Sequence, residues 1–209
     1  MKLKKYLVNE SDEGVKEIDF TNAKDAYNKI KKDCSKYLSL LGNNIPFFRG
    51  VRYTLYSSNS YLKIKARKDR RSYVNTRRVF TPFIEKLFNE HNIPLRSKSV
   101  NVTSDISHAR FFSNNVYYFL PIGNFNYAYC KSSDYNMSKG KYDINGLFRY
   151  LSGLVDWVDD EIAWSFIKDG IVVNDGLKVA HSKKFEVWFE CDSYYAVKLG
   201  DELGELFEK

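Results

Sequence analysis

Three short stretches of the chain hold groups able to act on an anionic ligand. In FFRGVR, residues 47–52, Arg49 and Gly50 follow two apolar aromatics. In VTSDISHARFF, residues 102–112, the hydroxyls of Thr103 and Ser104 close a segment of strand character. In KFEVWFE, residues 184–190, Glu186 alternates with apolar neighbours. A guanidinium is planar and permanently charged, so Arg49 suits contact with phosphate. Taken singly, each residue has an ordinary explanation: a strand end for Arg49, a helix N-cap for Ser104 and Asp105, a solvated strand face for Glu186. A carboxylate on a strand gains chemical meaning when the opposite wall supplies an arginine and a hydroxyl.

The elements that must position these groups follow from periodicity. Strand geometry puts Phe185, Val187 and Phe189 on one face and Glu186, Trp188 and Glu190 on the other. The spacing of Ala26, Ile30, Tyr37, Leu38 and Leu41 predicts a helix over about 22–41, capped by Thr21 and ended by Gly42. NIPFFRGVRYTLYS then reads as a strand. Thr81 and Pro82 open a second helix, which ends at a turn around Asn92 and leads into a strand, RSKSVNVTS. A short helix is expected from Asp105 to Phe112. NVYYFLP and FNYAYC read as two strands joined by the turn IGN, where Gly123 permits positive φ. Leucines and valines three and four apart predict a core-facing helix over 144–168. KFEVWFE and SYYAVKL read as a strand pair. Helices concentrate early and strands late, so the expected class is α+β with an N-terminal helical portion.

Composition bounds the function. A chain of 209 residues, 44% hydrophobic and 16% aromatic, is sized for one domain over 1–209. No stretch approaches the roughly 20 apolar residues of a spanning helix, and the N-terminal sequence turns acidic before a signal-peptide core, so a cytoplasmic protein with no membrane partner is expected. Cys34, Cys130 and Cys191 show no metal-ligand spacing with His91, His108 or His181, so no metal site is expected. The acidic run of Asp156, Asp159, Asp160 and Glu161 reads as a solvated helix face. Residues 63–78 hold eight Lys/Arg against Asp69, which accounts for the whole formal charge of +7. Such a segment, which includes Arg70, Arg71, Arg77 and Arg78, suits salt-dependent contact with nucleic acid or serves as a solvated loop.

In order, over a core of about 20–197, the three motifs resemble the ADP-ribosyltransferase superfamily, in the branch built on an arginine, a serine and a glutamate on three strands. FFRG is similar to its aromatic-Arg-Gly strand. VTSDISHARFF is similar to its Ser-Thr-Ser strand and following helix, with Val102 where the first serine would stand. EVWFECDSYYAV is similar to its glutamate strand, and LPIGNFNYAY resembles a turn of uncharacterised phage-encoded members. The resemblance implies a split mixed or antiparallel β-sheet core and NAD as co-substrate, in a host cytoplasm if the chain is phage-encoded. It implies that Arg49, with Gly50, binds the diphosphate or adjacent ribose, and that Thr103 or Ser104 orients the glutamate and the nicotinamide ribose. Phe112 or Tyr117 would stack on nicotinamide, and Glu186 would be catalytic. Lys184 stands where many relatives carry the Glu or Gln that activates a protein acceptor, which leaves protein, nucleic acid and water open as acceptors. A binding protein that keeps the fold without turnover is the alternative.

Overall fold

Asn22, extended at φ −161°, accepts a hydrogen bond from the Asp25 backbone N–H and so starts the first helix, α1 (Ala23–Asp33). The cap is therefore Asn22 and not the adjacent Thr21. Nor is the predicted helix continuous to residue 41. Cys34 departs from helical geometry at φ −107°, and a second helix, α2 (Ser35–Leu41), follows it and ends at Gly42 with φ 65°. The break is tied down from both sides. The Cys34 thiol donates to the Leu120 carbonyl at 3.5 Å, and Asp33 accepts from the Tyr195 hydroxyl at 2.7 Å.

The computed structural model describes residues 15–16, 22–50, 61–66, 68, 81–131, 161, 164–165 and 168–208. The remaining elements in order are β1 (Val15–Lys16), β2 (Phe48–Gly50), β3 (Tyr61–Lys65), α3 (Thr81–Glu90), a 3-10 turn (Arg96–Lys98), β4 (Val100–Val102), α4 (Ile106–Phe112) and β5 (Val116–Pro121). They continue with β6 (Phe125–Cys130), β7 (Ile171–Val173), α5 (Leu177–Ser182), β8 (Val187–Cys191), β9 (Ser193–Lys198) and α6 (Glu202–Glu205). The strands form two antiparallel sheets, one in the order β1-β3-β9-β5-β2 and one in the order β4-β8-β6-β7. The class is α+β. Among the described residues no helix is long and apolar enough to cross a membrane.

The chain divides into two compact units, one of residues 1–66, 102–125 and 191–209, the other of 67–101 and 126–190. In the first, β9 lies at the centre of its sheet, with Leu62 opposite Ala196 on one side and Phe119 opposite Ala196 on the other. Tyr37, Leu41, Phe47, Phe119 and Val197 are fully buried there. The Tyr37 hydroxyl accepts from the Phe47 backbone N–H at 3.0 Å, which satisfies the one polar atom of a buried ring. Most of the second sheet belongs to the second unit, where Val187, Trp188 and Phe189 of β8 are all buried.

One turn read from sequence joins strands that do not pair with each other, and one strand pairing read from sequence is corrected. β5 and β6 are joined through Gly123 at φ 68°, as the turn residues predict, yet they lie in different sheets. β8 and β9, separated by Asp192 alone, do the same. Gly123 supplies the turn between β5 and β6, while β5 pairs with β9, both buried along most of their length. RSKSVNVTS is also shorter as a strand than predicted, because Arg96–Lys98 form a 3-10 turn before β4. The predicted helix 144–168 and the basic residues Arg70, Arg71, Arg77 and Arg78 fall largely or wholly outside the described residues. Lys63 and Lys65 at the start of the basic run are in β3.

Candidate functional site

In the first unit, the arginine and hydroxyl motifs are brought side by side. An isolated antiparallel bridge pairs Phe48 with Thr103, with the Phe48 N–H donating to the Thr103 carbonyl at 2.6 Å and the Thr103 N–H to the Phe48 carbonyl at 3.0 Å. Fifty-odd residues of sequence separate them, and the bridge places Arg49 one residue from the hydroxyl segment. Arg49 is half-buried, pairs across β2 and β5 with Tyr117, and lies 5.7 Å from the centre of the Tyr194 ring. Among the described residues it has no carboxylate within ion-pair distance. A half-buried guanidinium supported by an aromatic face is suited to an anionic ligand.

Gly50 is explained by packing. A Cβ there would stand 2.2 Å from the Ala109 carbonyl oxygen, so the missing side chain lets α4 lie directly against β2. Asp105 caps α4, its carboxylate accepting from the Ser107 N–H at 2.9 Å. Thr103 is 4% exposed, and its hydroxyl accepts from the Asp105 N–H at 3.1 Å. The Thr103 hydroxyl thus helps to shape the entry to α4, while Ser104 beside it is half-buried. Tyr117 is 5% exposed, and burial followed by the charge of Asp201 raises its phenol pKa. Phe112 is half-buried against His108 and Phe111, and Phe111 is the most open aromatic of α4 at 81% exposure. Of the two expected stacking rings, Phe112 has the larger open surface.

In the second unit, Glu186 stands immediately before β8 and not within it. The residues ahead of it form a Schellman cap on α5: the Phe185 N–H donates to the Ala180 carbonyl at 3.0 Å and the Lys184 N–H to the His181 carbonyl at 3.1 Å. Lys184 takes the left-handed position of this motif, at φ 58°. The turn delivers Glu186 to Arg96, whose Nη2 donates to the Glu186 Oε1 at 3.3 Å. Both side chains are largely buried, at 15% and 13% exposure. The Arg96 guanidinium lies 5.6 Å from the centre of the Trp188 ring. Trp188 stacks on Phe88, and its indole N–H donates to the Pro94 carbonyl at 2.9 Å.

Arg96 was not among the residues singled out from the sequence. It lies in a segment read as an ordinary strand, and nothing in its neighbours marks it as the partner of a residue ninety positions away. The face shared by Glu186 and Trp188 is also less polar than alternation implies, since Trp188 is 3% exposed. Glu190, the other carboxylate on that face, is half-buried in β8. Among the described residues no cluster of three or more His, Cys, Asp or Glu could hold a metal ion. Comparison with known proteins gives no matching family model, no matching curated protein and no matching solved structure.

Proposed function

We propose that the chain is an NAD-consuming ADP-ribosyltransferase, in which Arg49 binds the diphosphate and Glu186 acts on the ribose next to nicotinamide. In this reaction the bond between the ribose C1′ and the nicotinamide nitrogen breaks, and C1′ bonds to a nucleophilic atom of the acceptor. Nicotinamide leaves, and the acceptor's proton passes to solvent. The transition state has oxocarbenium character, so a carboxylate hydrogen-bonded to the ribose 2′-hydroxyl lowers its energy. The observation that carries the reading is the Phe48–Thr103 bridge, which joins the strand of the half-buried Arg49 to the Thr103–Ser104 segment. The family's first two motifs require such adjacency, and a strand-end arginine on a plain surface does not.

A second reading, a protein that binds an anionic ligand without turnover, draws on the Arg96–Glu186 pair. A carboxylate already countered by a guanidinium stabilises a cation less than an open one. One experiment separates the two. NAD should raise the melting temperature of the wild type, and Arg49→Ala should remove most of that rise while the ligand-free protein stays folded. Release of nicotinamide from NAD, followed by chromatography with host lysate as acceptor source, then decides between transfer and binding. Binding without release supports the second reading, and absence of both at millimolar NAD eliminates the first.

A further inference from the structure

We propose that Arg96 is the positioning residue of Glu186, holding the carboxylate in the single orientation from which it acts on the ribose; the inference rests on the transferase reading. The arginine is itself immobilised at both ends. Its backbone belongs to the Arg96–Lys98 turn, and the next residue, Ser97, gives both its backbone N–H and its hydroxyl to the two oxygens of Glu85 on α3. Its guanidinium lies against Trp188, which cannot shift without breaking its stack on Phe88 and its hydrogen bond to Pro94. A lysine in this place would keep the charge and lose the planar contact.

Pinning at both ends distinguishes this pair from a surface ion pair. An exposed salt bridge fixes nothing, because two long side chains exchange freely with water. Here the donor is held by its own neighbours, and Glu186 stands between the capped end of α5 and the start of β8. With both groups largely buried, removing the guanidinium would take a charged partner from the carboxylate at 3.3 Å. The carboxylate would then turn toward water and away from a fixed aim, and misplacement on the ångström scale is enough to cost about a hundredfold in rate.

The test measures NAD turnover and NAD affinity for the full chain with Arg96→Gln, Arg96→Lys, Glu186→Gln and the Arg96→Gln/Glu186→Gln double variant. Lys98→Ala, an exposed change on the same turn, serves as control. Arg96→Gln is expected to lower kcat by about tenfold to a hundredfold with KM for NAD unchanged, and Arg96→Lys to recover part of the loss. In the Glu186→Gln background, Arg96→Gln should cost nothing further, because both act through one carboxylate. If Arg96→Gln does not fold, Arg96→Lys alone decides, with a severalfold loss of kcat at unchanged KM supporting the inference. Wild-type kcat in a folded Arg96 variant, or full additivity with Glu186→Gln, overturns the inference and leaves the transferase reading standing. Absence of nicotinamide release from the wild type overturns both.

Discussion

Burial raises the Cys34 thiol to about 12, with the charges of Asp33 and Cys191 adding to the shift. The thiolate is the reactive form, and Cys34 is 1% exposed and already donates to the Leu120 carbonyl. Cys130 and Cys191 are buried as well. Native protein should therefore resist iodoacetamide at pH 8, and all three thiols should react once urea is added; mass spectrometry of the alkylated protein reads the difference. Rapid native labelling of Cys34 would contradict this burial. At the same scale, the sequence made some roles legible and hid others. Arg49 and Thr103 stand out because a charge and a hydroxyl interrupt apolar strand residues. Arg96 does not, because its meaning comes from Glu186 and Trp188, which approach it only in the folded chain.

Elements are held together by a few specific contacts. The seat of α4 on β2 depends on Gly50, and Gly50→Ala would force a methyl group against the Ala109 backbone. The expected cost is about 1 to 3 kcal/mol by urea unfolding, together with a weaker NAD-induced melting shift, because Arg49 and the Thr103 segment share that junction. The junction of α1 with β9 depends on Asp33. Burial alone would raise its carboxyl pKa, but the Tyr195 hydroxyl, Lys29 and the charge of Lys63 together hold it below the ordinary 3.8. The unfolded chain thus binds the proton more readily. The contribution is fully present above the unfolded value and is lost as pH falls through the depressed folded one. Tyr195→Phe should cost about 2 kcal/mol at pH 7, and the gap from wild type should narrow as the solution is acidified through that range. A gap independent of pH would assign the loss to packing.

Helix starts and ends were readable in the sequence because caps are local. Asn22 and Gly42 lie within a residue of where the pattern puts the ends of the α1 and α2 segment, and α3 and α4 lie close to their expected ranges. Strand partnership was not readable. Tyr61, Leu62 and the whole of β5 are buried without alternation, so neither face is marked as the inner one. β7 and α5 are too short to show a period. Gly123 announces a turn but cannot say whether the strands on either side will pair.

For the molecule as a whole, charge makes its own prediction. Residues 63–78 carry the entire formal excess of +7, so any affinity for nucleic acid should fall steeply with salt. Replacing Arg70, Arg71, Arg77 and Arg78 with Gln should flatten that slope in a filter-binding or anisotropy titration. Wild-type chain that binds no RNA or DNA at low salt would reduce the segment to a solvated loop. The order in which the strands occur along the chain has a different consequence. β9, at the centre of the five-stranded sheet, follows every strand it organises. As the polypeptide leaves the ribosome, β3 and β5 therefore emerge with their shared partner still unmade, and both present open backbone edges to solvent or to a chaperone. The segment 126–190 is synthesised during that wait. A nascent chain stalled before residue 193 would be expected to aggregate or to be held by a chaperone, whereas one that includes β9 can close the sheet.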